Sequence, residues 1–381
     1  MKSAHRSVLL PLTLAFSALA CGLPRAAPVA PSPGLIEATG TVAGPVASPT
    51  VAPEADIAAV VVQPDRIELY RLDGTPAGTW DALGIDWPRP DWVQVVGTSV
   101  YYVDNGGQVR AVSAEGTAEF AFTASPDLMA FAVSPDEAWL AWATTKYSDK
   151  LESQLWLAAR DGSGTRLVAQ SDPQDDIADW FALEPVSFAA DGRLVYSWQI
   201  TGIGGYILFF GYSSLYSYDP TTAAVVPLAP LLSESTGPCW NSVRPDLAFA
   251  VGHCYGSDGE LAMREKDLAT GGDRLFPSLP DQGQAGGGTY SPSGNRLAYA
   301  IARGNPDDEA GQIIVRLEPA GEPVPLASIG NGYFHVLYWL DEERLLAGGS
   351  EGGVDRVYRV GLDGSVTPVA DGRLAGWMVL P

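Results

Sequence analysis

The sequence is poor in histidine, cysteine and basic residues. It contains 3 histidines and 3 cysteines, and 23 lysines and arginines stand against 45 aspartates and glutamates, which gives a formal net charge of −22. A surface this acidic repels phosphate backbones and anionic lipid headgroups. The composition therefore argues against nucleic acid and the bare membrane surface as partners.

The common catalytic motifs are missing as well. There is no G-x-S-x-G elbow, no phosphate-binding P-loop and no H-E-x-x-H zinc motif. Only His253 and His335 lie beyond the first twenty residues, which does not favour a histidine-rich metal site, and a structural role is the commoner one for each. No long segment repeats apolar residues with the helical period of 3.6, so the pattern argues against a helical fold.

Glycine, proline and short apolar runs are abundant. The chain has 42 glycines, 30 prolines and 46% hydrophobic residues. Many short strands separated by tight turns have this composition. We therefore predict an all-β fold.

A hairpin phrase recurs along the chain, consisting of an apolar strand, a tight turn and a second apolar strand. The clear copies are Ser134–Trp142, Ala189–Tyr196 and Ser291–Tyr299, and the weaker copies are Arg244–Ala250 and Leu340–Ala347. Their spacing of roughly 40 to 55 residues is that of β-propeller blades. Proline presets φ at the second turn position, and Asp, Asn and Gly tolerate the other turn dihedrals, so we expect the acids in these turns to be turn formers.

These copies resemble the WD40-like repeat of the TolB-type propellers, which also occurs in the propeller domains of prolyl oligopeptidases. The resemblance implies a β-propeller. It implies no activity, because propellers host binding, scaffolding and catalysis alike. The chain also lacks an extension large enough for an α/β-hydrolase domain, so peptidase activity does not follow.

Strand counting predicts seven blades in residues 56–381. Complete four-strand units begin near Trp92, Leu128, Pro185, Pro238, Gly287 and Tyr333. Three N-terminal strands lack an innermost partner, namely Ile57–Val62, Ile67–Leu72 and Ala77–Trp80. Trp377–Leu380 is a solitary C-terminal strand. Together these strands would form the seventh blade, which closes the ring and hides its edges.

The loops of a propeller are sorted onto two faces. With strands A to D counted outward, the A–B and C–D connections lie on one face, here called the short-turn face. The B–C connections and the crossovers to the next blade lie on the other, the long-loop face. The longest loops, 171–184, 201–212, 231–237, 279–288 and 304–310, all belong to the long-loop face. Because function concentrates in long loops on a rigid scaffold, we expect binding there.

The loop Thr201–Tyr212 is unusually apolar and aromatic. Exposed apolar clusters mark partner sites, so we predict a recognition patch on the long-loop face. Its members would be Trp180, Phe181, Tyr206, Phe209, Phe210, Tyr212, Trp240 and His253. The alternative is that the loop plugs the central channel or pairs with residues 214–218.

Acidic residues crowd two of these loops, at 172–179 and 307–309. Asp175, Asp176 and Asp179 offer the hard oxygen donors that Ca²⁺ prefers, so a calcium site is one hypothesis, and no other cofactor is expected. Neither loop matches the EF-hand pattern, and charge runs are commonly just solvated faces.

The N-terminus has the pattern of an export signal over residues 1–20. Lys2 and Arg6 precede an apolar run over residues 8–20 that is short for a membrane span, and their removal takes the net charge to −24. The residues before Cys21 resemble a bacterial lipobox, which implies lipidation of Cys21 and anchoring to the cell membrane from outside the cytoplasm. Ala18 stands where that family usually has leucine. Ala18-Leu19-Ala20 also fits ordinary signal peptidase, which would give a secreted protein.

Residues 21–55 are rich in Ala, Pro, Val, Ser and Thr and almost uncharged. Such a segment cannot bury a core, so we predict a disordered tether between the membrane and the propeller.

The other two cysteines flank one predicted hairpin. Cys239 and Cys254 would meet at the same end of it and form a disulfide in an oxidising compartment. A disulfide that closes a loop of this size stabilises the folded protein by about 3 kcal/mol in the chain-entropy model. Two buried free thiols are the alternative.

Two functions of different classes remain open. The first is a lipid-anchored, extracytoplasmic binding or scaffolding module for a protein or glycan. The second is a carbohydrate-active hydrolase or lyase with paired acids such as Asp176 and Asp179 at the channel mouth. Glycoside chemistry would require two carboxylates about 5 to 9 Å apart.

Overall fold

The computed structural model describes residues 57–85, 92–147, 151–171, 181–200, 211–229, 240–255, 261–276, 284–303, 310–317, 323–330 and 332–380. These residues form 28 strands in seven four-stranded blades. The sheets of blades 6 and 7 touch through one parallel bridge, between Ala310 and Gly332. The predicted all-β, seven-bladed propeller is confirmed.

The strands follow the chain from blade to blade, except in blade 1, which combines both ends. Blade 1 contains β1 (Ile57–Gln63), β2 (Arg66–Arg71), β3 (Pro76–Asp81) and β28 (Arg373–Val379). Blades 2 to 4 contain β4 (Val93–Val96), β5 (Ser99–Val103), β6 (Val109–Ser113), β7 (Gly116–Glu119), β8 (Leu128–Val133), β9 (Trp139–Tyr147), β10 (Leu151–Ala159), β11 (Arg166–Gln170), β12 (Phe181–Phe188), β13 (Leu194–Ile200), β14 (Leu215–Tyr218) and β15 (Val225–Ala229). Blades 5 to 7 contain β16 (Trp240–Val243), β17 (Phe249–Tyr255), β18 (Leu261–Asp267), β19 (Asp273–Leu275), β20 (Gln284–Tyr290), β21 (Arg296–Arg303), β22 (Ala310–Leu317), β23 (Val324–Ile329), β24 (Gly332–Trp339), β25 (Arg344–Glu351), β26 (Val354–Gly361) and β27 (Val366–Asp371).

The ring closes in blade 1, as the sequence predicts. The strand order is β28-β1-β2-β3, so the C-terminal strand is innermost. β28 pairs antiparallel with β1, with Val379 opposite Ile57 and Trp377 opposite Ala59. Because β1 lies between two strands and between two neighbouring blades, its apolar residues are buried on both faces.

The core lies between adjacent blades. Strand alternation turns Leu155 and Leu157 of β10 inward, where they pack with Leu183 and Leu194 of the next blade. All four leucines are fully buried, and burial of each side chain contributes about 1.5–3 kcal/mol to the stability of the fold. Six further clusters of this kind stand among the described residues.

The described residues contain no helix long and apolar enough to span a membrane.

The acids in the A–B turns are turn formers, as expected. The Oδ1 atoms of Asp136, Asp246 and Asp341 accept the backbone N–H two residues later at 2.7–3.1 Å. The hydroxyl of Ser134 is the main cause that lowers the pKa of Asp136. These carboxylates therefore fix backbone geometry on the short-turn face.

One position in these turns requires positive φ. Gly192 and Gly294 occupy it without strain, whereas Glu137 and Leu247 hold the left-handed conformation at φ 55° and 57°. The turn therefore keeps its left-handed residue even where glycine is replaced.

Two of the predicted long loops, 171–184 and 279–288, end earlier in the structure than the sequence suggests. β12 already begins at Phe181, and Glu184 lies inside it opposite Ser197. β20 runs through Gly287 and Gly288, which a register shift between Gly286 and Thr289 accommodates. Both loops are correspondingly shorter.

Candidate functional site

Strand direction brings the B–C turns and the crossovers together on the long-loop face. Ala82, in the crossover that leaves blade 1, donates its N–H to the carbonyl of Asp65 in the β1–β2 turn at 2.9 Å. Ser125, in the next crossover, donates to Gly107 of the β5–β6 turn at 3.0 Å. Backbone hydrogen bonds thus hold parts of this face in place.

A cleft of about 470 Å³ opens on this face between blades 1 and 7. Val62, Ile85 and Val354 line it with apolar surface, and Asp355 and Arg373 contribute charge. The volume lies in the range of small-ligand and anchor-residue pockets.

The charged groups that line the cleft, Asp355, Asp371 and Arg373, are all ion-paired, Asp371 with Arg356 from outside the lining. The Nε of Arg373 bonds Oδ2 of Asp355. Arg356 bonds Asp371 through Nε at 2.9 Å and Glu351 through an Nη at 3.0 Å. Side chains held by such pairs are more ordered than free ones, so the cleft is largely pre-organised.

His335 belongs to β24, the innermost strand of blade 7. Its Nδ1 lies 3.0 Å from the carbonyl oxygen of Gly348. A Cβ at position 348 would stand 2.7 Å from Cγ1 of Val336 and 3.1 Å from Cε1 of the imidazole, so glycine provides room for the ring. Burial lowers the pKa of His335, Asp355 opposes that shift, and Arg373 adds to it. The ring is therefore neutral at pH 7, with Nδ1–H as donor.

The lowered pKa of His335 predicts that the folded protein loses stability in acid. The unfolded chain takes up a proton near the ordinary value of 6.5 before the folded protein does, so stability is lost as the pH falls below 6.5. His335→Asn keeps a donor for Gly348 and cannot be protonated. We expect the wild-type melting temperature to fall more steeply than that of the variant between pH 7.5 and pH 5.5. Parallel curves would contradict the assignment.

The long-loop face also exposes large apolar side chains. Leu83 and Tyr147 are 71% and 61% exposed, the highest values for large hydrophobic residues in the described part of the chain. Leu83 precedes Ile85 in the same crossover, and Val354, across the cleft, is 44% exposed. Leu83 and Val354 are here called the apolar border: Val354 lines the cleft, and Leu83 lies two residues before the lining residue Ile85, which is itself buried.

Most residues of the predicted patch lie outside the described ranges. These are Trp180, Tyr206, Phe209, Phe210 and the three candidate calcium ligands Asp175, Asp176 and Asp179. Phe181 is the first residue of β12 and is half-buried. His253 pairs with Met263 through the backbone, and its side chain is not among those described. Within the described ranges no group of three or more His, Cys, Asp or Glu residues could hold a metal ion.

Tyr212 and Trp240 belong to the core, which corrects their place in the predicted patch. They are 9% and 8% exposed. Their backbones exchange two hydrogen bonds of 2.6 and 2.9 Å, which joins blades 4 and 5. Both side chains pack in a cluster with Leu215 and Leu247.

Leu83, Tyr147 and Val354 are the exposed residues that the sequence patterns missed. Each lies at the end of a strand or beside a glycine in a B–C turn or crossover. An apolar residue in such a polar turn is the one signal that could have indicated them.

The lipidation of Cys21 and the disulfide between Cys239 and Cys254 stay predictions. Cys21 and Cys239 lie outside the described residues, and of Cys254 only the backbone, in β17, is described.

No protein-family model matches the sequence, and no curated protein matches it. Solved structures match at low identity. The β-propeller domain of the Trilobed protease from Pyrococcus furiosus is 9% identical, with 84% of this chain and 93% of that chain covered and a TM-score of 0.54. A prolyl endopeptidase is 11% identical at a TM-score of 0.56, with 84% of this chain and 49% of that one covered, so the chain spans about half its length. TolB from Acinetobacter baumannii is 13% identical, with 86% and 68% covered and a TM-score of 0.46. The likeness concerns the fold, and the chain is a seven-bladed β-propeller.

Proposed function

We propose that the protein is a lipid-anchored, extracytoplasmic binding module that captures a protein or glycan partner on its long-loop face. The observation that carries the proposal is the cleft with the ion pair of Arg373 and Asp355, together with the exposed apolar border of Val354 in its lining and Leu83 two residues before its lining residue Ile85. Grouped apolar side chains are exposed at a cost in solvation and mark surfaces that a partner covers.

The cleft suits an anchor residue of the partner. Binding energy concentrates in a few side chains that fill pre-formed pockets, with polar groups around them. Val62 and Ile85 offer apolar contact, while the Arg373–Asp355 pair at the same cleft offers hydrogen bonds. The A–B turns of the short-turn face differ, because the carboxylates of Asp136, Asp246 and Asp341 are engaged by their own turns.

Charge insertion at the border tests the proposed face. Leu83→Asp and Val354→Asp should each reduce capture of the partner from envelope extracts by about tenfold or more, because a buried carboxylate is left without a counter-charge. Val225→Asp is the matched control, since Val225 is 48% exposed but stands at the short-turn end of β15. The readout is the amount of each co-purified species relative to wild type. If Val225→Asp loses capture while Leu83→Asp and Val354→Asp retain it, the partner does not bind at the long-loop face.

The anchor is tested at Cys21. Cys21→Ser removes the thiol that lipidation requires, so we expect the protein to move from the membrane fraction to the soluble fraction. Fractionation and immunodetection measure the shift. A wild-type protein that is already soluble after export would indicate ordinary signal peptidase cleavage after Ala20.

A further inference from the structure

A second cavity, of about 600 Å³, opens on the opposite, short-turn face between blades 6 and 7. Three arginines line it: Arg296 from β21, Arg344 from β25 and Arg359 from β26. They converge from three strands in a chain with a net charge of −22. The volume fits a small organic molecule.

The repeat explains why Arg296 differs from its counterparts. Arg193, Arg296 and Arg344 occupy the same place in their hairpins: Arg296 and Arg344 begin β21 and β25, and Arg193 directly precedes β13. Arg193 pairs with Asp191 and Arg344 with Asp341, each at 2.7 Å, within their own turns. The turn before Arg296 reads Ser293-Gly294-Asn295 and contains no acid.

Arg296 instead reaches across to the next blade. One Nη donates to the backbone carbonyl of Glu342. The carboxylate of Glu342 accepts the N–H of Ser293 at 2.7 Å, which joins the two turns. The Arg296 charge is thus held at the cavity by a neutral carbonyl and is not neutralised by its own turn.

The acids around the cavity are engaged or exposed. Asp341 is occupied by Arg344. The carboxylate of Asp363 accepts the N–H and hydroxyl of Ser365 at 3.0 and 2.6 Å. Glu343 is exposed, where solvent and salt screen its charge. Guanidinium groups form forked, charge-assisted hydrogen bonds with carboxylate and phosphate oxygens.

We propose that this cavity binds a small polyanion with two or more carboxylate or phosphate groups, with Arg296 as the principal contact. A second anionic group would reach Arg344 or Arg359, because the guanidiniums approach the cavity from separate strands. The site is independent of the long-loop face and of the partner captured there.

Isothermal titration of the full chain with citrate and with pyrophosphate tests the proposal and separates carboxylate from phosphate recognition. We expect one-to-one binding of at least one probe, weakened by raised salt. Arg296→Gln should weaken it about tenfold or more, the loss expected for a charge-assisted hydrogen bond. Arg193→Gln, at the same place in blade 4, should leave the affinity unchanged.

Ser293→Asp gives a test that keeps Arg296 and its bond to blade 7. Asp136 and Asp246 occupy the equivalent turn position in other blades, so the turn accepts an aspartate. The new carboxylate should pair with Arg296 and weaken binding about tenfold. Absence of binding by both probes at about 10 mM, or equal weakening by Arg193→Gln, would overturn the proposal.

Discussion

Deletion of residues 376–381 is expected to abolish the stable propeller. The deletion removes the part of β28 that pairs with Ile57–Val60, including Met378, which is 1% exposed. It also removes Trp377, whose indole N–H donates to the carbonyl of Trp339 at 2.9 Å. Burial of one such side chain is worth about 1.5–3 kcal/mol and each ladder hydrogen bond about 0.5–1.5 kcal/mol. Their sum is comparable with the whole stability of about 5–15 kcal/mol of a typical domain.

The matched control is deletion of Pro381 alone, which lies beyond β28 and leaves Leu380, whose side chain packs against the core of blades 1 and 2, in place. Circular dichroism melting of the three proteins gives the comparison. The longer deletion should lose the cooperative transition or aggregate, because an unpaired β1 becomes an exposed apolar edge. The shorter one should melt close to wild type. A cooperative transition at the wild-type temperature after the longer deletion would show that blade 1 does not close the ring.

Closure was predictable because strands are recognised by local patterns. The apolar runs Ile57–Val62 and Trp377–Leu380 each lack a partner in their own neighbourhood of the sequence, and a propeller must pair every inner strand. The repeated turns were predictable for the same reason. Residues such as Asp136 and Gly294 serve dihedral and hydrogen-bond requirements that lie within a few residues.

The candidate sites were not predictable, because they depend on contacts between blades. Tyr212 follows Gly211, and Trp240 lies two residues after Pro238, which suggested loops, yet a bridge between blades 4 and 5 buries both. The cleft beside Ile85 and Val354 combines the first and last blades of the ring. Arg296 looks like any other repeat arginine until the neighbouring blade provides its acceptor.

Phe334→Ala should destabilise the propeller strongly without acting on either proposed site. Phe334 lies in β24, is 0% exposed and meets the ring of Tyr358 edge-on at 5.9 Å. Gly349 packs against it, since a Cβ there would stand 3.3 Å from Cδ1 of the phenyl ring. A cavity of this kind costs about 3–5 kcal/mol, equivalent to a melting temperature lower by about 5–15 °C. Differential scanning calorimetry measures it.

Leu83→Ala is the control that separates stability from binding. Leu83 is 71% exposed, so its truncation should change the free energy of unfolding by less than about 0.5 kcal/mol. If the long-loop face captures the partner, Leu83→Ala weakens capture at unchanged melting temperature. Phe334→Ala lowers the melting temperature and retains capture well below its transition. A Leu83 variant that loses both stability and capture would mean that this side chain supports the fold, and the apolar border would then no longer be evidence for a partner.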